Sequence, residues 1–175
     1  TYVGRNHPLI EGLAVGGTHA DDFLARPFVQ GQLIPDPARY SFYTPSNWAK
    51  RDNVLTYIGW ATMPWQDIYD RKGGLYLASY DPMFRQIDLE TFPEASRDAV
   101  TMDIRTLAYT PPGVTWTSQR FAVVLHEGDW HRAADIYREA SAGFLSPMPK
   151  PRWVRESDGW FGTGGPNYTY ADLPA

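Results

Sequence analysis

A mainly β fold with a single helix is what this chain predicts, and three observations predict it. Aromatic residues make up 15 % of its 175 positions, and fifteen Gly and fifteen Pro supply frequent turns, a balance that suits short strands. Several stretches, such as Val54–Trp60, are rich in β-branched and aromatic residues. One stretch near residue 130 has helical periodicity.

The first fifty residues are dense in turn formers: Gly16-Gly17, Pro27, Gly31, Pro35, Pro37 and Pro45. Short strands are expected between them, with one helical turn at Asp21-Asp22-Phe23-Leu24. Val54–Trp60 and Gln66–Asp70 read as strands. Arg71-Lys72-Gly73-Gly74 reads as a turn whose glycines take positive φ, and Leu75–Tyr80 as the returning strand, ended by Asp81-Pro82. Residues 82–100 read as a connection with a weak strand. Thr101–Tyr109 alternates through Met102, Ile104, Leu107 and Tyr109, which places a bulge near Thr106. Pro111-Pro112-Gly113 is a tight turn, and a long strand is expected over Thr115–Leu125, fully apolar at its end.

The helix has the strongest local signal. Asp129 is a natural N-cap, Trp130, Ala133, Ala134 and Tyr137 form one apolar stripe, and Gly143 is the expected C′ residue. Pro147, Pro149 and Pro151 then space a linker.

Composition excludes several classes of function. There is no cysteine, hence no disulfide, cysteine metal site or thiol chemistry. A net charge of −4 does not favour nucleic acid or an anionic membrane surface. No run of apolar residues is long enough for a transmembrane helix, so no membrane partner is expected. The histidines show no metal-ligand spacing, and neither a metal nor a cofactor is expected. Gly162-Thr163-Gly164-Gly165 lacks the Lys-Ser/Thr ending of a phosphate loop.

The order of motifs resembles a known family. Gly128-Asp129-Trp130 with the following Ala-Ala-Asp-Ile-Tyr-Arg helix resembles the end of the N-terminal sandwich of large glycoside-hydrolase-like proteins. That sandwich is galactose-mutarotase-like and precedes a (β/α)8 barrel. Pro64–Tyr69 and Gly73–Pro82 resemble the family's hairpin, Pro151-Arg152-Trp153 through Gly159-Trp160 the passage into the first barrel strand, and Tyr170–Pro174 the start of the first barrel helix.

The resemblance implies an antiparallel β-sandwich with one edge helix, followed by a truncated start of a (β/α)8 barrel. The resemblance covers roughly residues 55–175; the domains expected are 1–145 for the sandwich with its helix over about 129–142, 146–158 for a linker, and 159–175 for an incomplete barrel domain. It further implies a carbohydrate-active parent enzyme, a glycoside hydrolase, whose catalytic carboxylates lie on later barrel strands. The chain begins at Thr1 and stops soon after the barrel begins, so a fragment of a longer protein is expected. Its partners would be carbohydrate and the rest of its own barrel, and the chain alone would be non-catalytic. A polysaccharide substrate would associate the parent with export, secreted or periplasmic.

Candidate side chains each carry two readings. Asp67, Asp70 and Asp81 flank the hairpin and are candidates for the paired carboxylates of glycoside cleavage, against the plainer reading of solvent-facing turn acids. Adjacent strand residues point to opposite faces, so His126 and Glu127 cannot converge as an acid–base pair, and a standalone epimerase is disfavoured. Tryptophans stack on sugars but also fill cores. Trp65, Asp67 and Trp160 are the candidate substrate-binding residues, Trp160 through its place on the first barrel strand that the resemblance implies. The alternative is a stand-alone, non-catalytic carbohydrate-binding or structural β-sandwich.

Overall fold

A computed structural model describes residues 3–17, 19–40, 53–145 and 152. The chain divides into two compact units, Thr1–Leu145 and Ser146–Ala175. The described part of the first unit is mainly β. It has two antiparallel sheets and one helix, with element order β1 (Val3–Gly16), β2 (Phe23–Arg26), β3 (Gln32–Pro35), β4 (Val54–Tyr57), β5 (Trp65–Tyr69), β6 (Gly74–Tyr80), β7 (Ile87–Glu94), β8 (Ala99–Thr110), β9 (Arg120–His126) and α1 (Trp130–Ser141). Sheet A runs β1-β8-β7-β4 and sheet B runs β3-β2-β5-β6-β9.

Period-two alternation builds the core between the sheets. Leu55, Ile87, Leu89, Val100, Met102 and Ile104 of sheet A meet Leu24, Ile34, Ile68 and Leu77 of sheet B. One polar clasp crosses this core. The Thr91 hydroxyl donates to Gln66 Oε1 at 2.9 Å, and Gln66 Nε2 donates to the Glu90 carbonyl at 3.3 Å. Both side chains are fully buried, so each needs the other.

The opposite face of sheet B is apolar as well. Trp65, Tyr76, Ala78 and Tyr80 lie beneath Ala133 and Tyr137 of α1 in a second core. The helix lies over β5 and β6, on the face of the sheet rather than at its edge. Asp129 caps it as expected, its side chain accepting the His131 backbone N–H at 2.9 Å. Its C-cap is Ala142 in right-handed conformation, and Gly143 is not left-handed. A further turn replaces the glycine cap, with Phe144 and Leu145 both donating to the Ser141 carbonyl.

Several expected elements differ. Residues 3–16 form one long strand rather than short pieces, because β8 pairs along its whole length and absorbs the register shifts near Pro8, Ile10 and Leu13. Phe23-Leu24 opens a strand, not a helical turn, since β2 is held between β3 and β5. The weak strand in residues 82–100 is the eight-residue β7, paired on both sides. No bulge separates β7 from β8 at Thr106. Thr106 points inward, donating to the Gln86 carbonyl and accepting from Gln119 Nε2, while Leu107 is exposed.

The strand expected from Thr115 begins at Arg120 and is an edge. Its apolar end is not buried, since Phe121, Val123 and Leu125 are exposed. Among the described residues no helix is long and apolar enough to cross a membrane.

Candidate functional site

Two neighbourhoods on the helix-covered side of sheet B hold the sequence candidates. One is a sealed pair. Strand β5 presents Trp65, Asp67 and Tyr69 to that side, and the end of β9 presents His126. His126 Nε2 lies 3.0 Å from Asp67 Oδ1, and the two side chains are 3 % and 0 % exposed. The ring has to cross β6 to reach β5, and it crosses at Gly74, the residue paired with His126. A Cβ on Gly74 would meet His126 Nε2 at 2.7 Å and Tyr69 Cβ at 2.8 Å. A Cβ on Gly73 would meet the His126 carbonyl oxygen at 2.2 Å. Neither glycine has positive φ, contrary to expectation. The turn is made by Asp70, whose Oδ1 accepts the N–H groups of Lys72 and Gly73. Gly74 clears room for the imidazole, and Gly73 for the backbone of His126.

Both ring nitrogens face acceptors, since Nδ1 lies 3.1 Å from the Glu127 carbonyl. One proton must therefore lie between Nε2 and Oδ1 for that contact to be a hydrogen bond. Burial raises the Asp67 pKa, partly opposed by the hydrogen bond and charge of His126. Asp67 Oδ2 has no hydrogen-bond partner among the described residues. Glu127 is exposed. The geometry is a general acid–base pair in form, but the contacting side chains are almost wholly buried; a hollow of about 500 Å³ on the Gly73-Gly74 side reaches His126 and does not include Asp67 in its lining.

The other candidate acids are used in turns. Asp81 is buried rather than solvent-facing. Although burial works the other way, the Arg85 side chain and the N–H groups of Arg85 and Met83 hold its pKa below the usual carboxylate value. Asp70 is likewise lowered by its two backbone hydrogen bonds. Asp67, Asp70 and Asp81 are thus engaged separately and are not assembled as a pair for glycoside cleavage.

The second neighbourhood is open. A cleft of about 360 Å³ lies between the β2–β3 turn and the start of α1. Val29, Leu33, Met63, Trp65 and Trp130 form its apolar wall, and Arg26, Gln30, Gln32 and Thr62 its polar groups. Arg26 is 4 % exposed, and its Nε and Nη2 both donate to Gln32 Oε1, at 3.2 and 2.6 Å. Thr62 is held by its own hydroxyl and N–H, both donated to the Pro27 carbonyl. The cleft therefore combines an apolar wall with a few fixed polar groups, the usual make-up of a small-molecule site.

Of the predicted binding residues, Trp65 is in the cleft wall, although only 3 % of its surface is exposed. Asp67 is two residues along β5, sealed against His126. Trp160, the linker and Gly162–Gly165 lie outside the described residues. Sequence reasoning missed Arg26 and Gln32, and it weighed His126 only against Glu127, not against Asp67. For His126 the glycine pair was the available signal, but it reads locally as a turn. Trp130 was assigned to the helix stripe, and it serves both there and in the cleft. Among the described residues no cluster of three or more His, Asp or Glu could hold a metal. No protein-family model, no curated protein and no solved structure matches this chain.

Proposed function

We propose that this chain is the non-catalytic sandwich of a carbohydrate-active protein, a glycoside hydrolase, and that it holds saccharide in the cleft between Trp65 and Trp130. The observation that carries this reading is the composition of the cleft. Trp130, one face of which stacks on His131, lines the cleft with an apolar surface that suits a pyranose, and Gln30, Gln32 and Thr62 suit its hydroxyls. The sealing of Asp67 and His126 supports a recognition and bracing role over catalysis. In the same reading, residues 159–175 open a catalytic (β/α)8 barrel whose substrate pocket Trp160 lines. That finer part rests on the sequence resemblance.

Calorimetric titration of the chain with glucose, galactose and their linear oligomers tests the proposal. At least one saccharide is expected to bind, and Trp130→Ala to weaken it about tenfold, the scale of one aromatic contact. A folded Trp130→Ala chain that binds as well as the parent, or no binding by any of these sugars, overturns it. Robust hydrolysis by the chain alone overturns the non-catalytic part.

A further inference from the structure

Beside the cleft stands an aromatic pair that the core does not use. Trp60 is 65 % exposed and stacks on Phe28, itself 38 % exposed, with ring centroids 6.0 Å apart and an interplanar angle of 28°. Scattered exposed hydrophobics are ordinary, but an indole backed by a second ring is a stacking surface already held in place. Its backbone is tied to the cleft. Phe28 bridges Ala61, the Val29 N–H donates to the Trp60 carbonyl at 2.8 Å, and the Thr62 N–H donates to the Pro27 carbonyl at 2.9 Å. Pro27, Val29 and Thr62 all line the cleft. The two neighbourhoods are thus two parts of one hydrogen-bonded ledge.

Val29 carries a second sign. It is β-branched, yet its φ is +50°, where such residues are rarely found. The Trp60 carbonyl and the turn closed by the Gly31 N–H onto the Phe28 carbonyl hold it there. Backbone strain of this kind persists only where its surroundings over-determine it, and it concentrates at ligand clamps.

We propose that the Trp60–Phe28 platform is a second saccharide subsite, continuous with the cleft, so that the ligand is an oligosaccharide chain rather than a single sugar. This rests on the cleft reading above and adds the length of the ligand to it. One pyranose occupies the cleft against Trp130, and the next along the chain stacks on the open face of Trp60. Glycosidic linkage brings the second sugar there without a second loss of overall translational and rotational freedom, so its contact shows directly as affinity.

The test is calorimetric titration of the chain with glucose and galactose and with cello-, malto- and galacto-oligosaccharides. For the series that binds, affinity is expected to rise about tenfold from monosaccharide to oligosaccharide, the scale of one aromatic stacking contact. Trp60→Ala should abolish that rise and leave monosaccharide binding unchanged. Trp60→Phe, which keeps a ring, should restore part of it. Circular dichroism confirms that both variants fold. Equal affinity for mono- and oligosaccharide, or a chain-length gain that survives Trp60→Ala, overturns the second subsite while the cleft reading stands. Absence of binding by every sugar overturns both.

Discussion

The two outward faces of the sandwich solve the same electrostatic problem differently. On sheet A the outward face is charged and partly open to water, with Glu11 exposed and Glu90 and Asp103 nearly covered. Arg105 sits among Glu11, Glu90 and Asp103, at 2.8, 2.9 and 3.0 Å, and is 21 % exposed. On sheet B the outward face is aromatic and covered by α1, with one acid–base pair, Asp67 and His126, buried in it. Charges left at a surface need no exact partner, because water screens them. A group placed under a helix must find its partner within the protein or cost several kcal/mol. So sheet A can carry redundant charges, whereas sheet B keeps one pair and gives up a side chain at residue 74 to make it.

The widest gap between the two faces should appear on removing one partner from each. His126→Ala leaves Asp67 buried without its ring and is expected to cost about 3–5 kcal/mol in denaturant unfolding. Gly74→Ala should destabilise through the same contact, because its new Cβ displaces the imidazole. If His126→Ala costs under about 1 kcal/mol, water reaches the pair and the contrast between the faces fails.

A pH titration sharpens the comparison. Burial raises the folded-state pKa of Asp67, so the folded chain holds that proton more tightly than the unfolded chain. This contribution is full below the ordinary carboxylate pKa and is lost as pH rises through the raised value. The stability of the parent relative to Asp67→Asn should therefore fall as pH rises from about 4. A parent that gains on Asp67→Asn over that range contradicts the assignment. Asp81, with its lowered pKa, contributes with the opposite sign and cancels in the difference.

Smaller effects are expected elsewhere. Arg105→Ala should cost about 1–2 kcal/mol, less at high salt, because Arg105 itself and its partner Glu11 keep access to water. A salt-independent loss as large as that of His126→Ala would erase the distinction. Smallest is Asp129→Ala, which removes the N-cap of α1 and should cost about 1 kcal/mol in thermal unfolding. It tests whether the cover over sheet B depends on its own capping or on Tyr137 stacked against Tyr80.

The helix and the β5–β6 hairpin were legible because their signals are short-range: a cap one residue ahead, a stripe repeating over one turn, a glycine pair at the reversal. Strand β1 was illegible because its pairing with β8 makes it a strand despite the glycines and proline within it. Thr106 misled for a related reason. A threonine at a core position reads as a break in the pattern until Gln86 and Gln119 are seen to satisfy it. At the cleft, Trp65 and Trp130 were visible as aromatics, but nothing local tells which tryptophan lines an opening.

By itself the amino-acid sequence determined the class of fold, the capped helix α1 and the place of the reversal between β5 and β6, all set by backbone preferences acting over a few residues. The tertiary structure alone decided what the glycine pair is for, which acid takes His126 across 59 residues of chain, and which tryptophans stand beside a cleft. Those outcomes depend on strand order, and strand order follows from burying apolar faces across the whole chain, which no local pattern encodes.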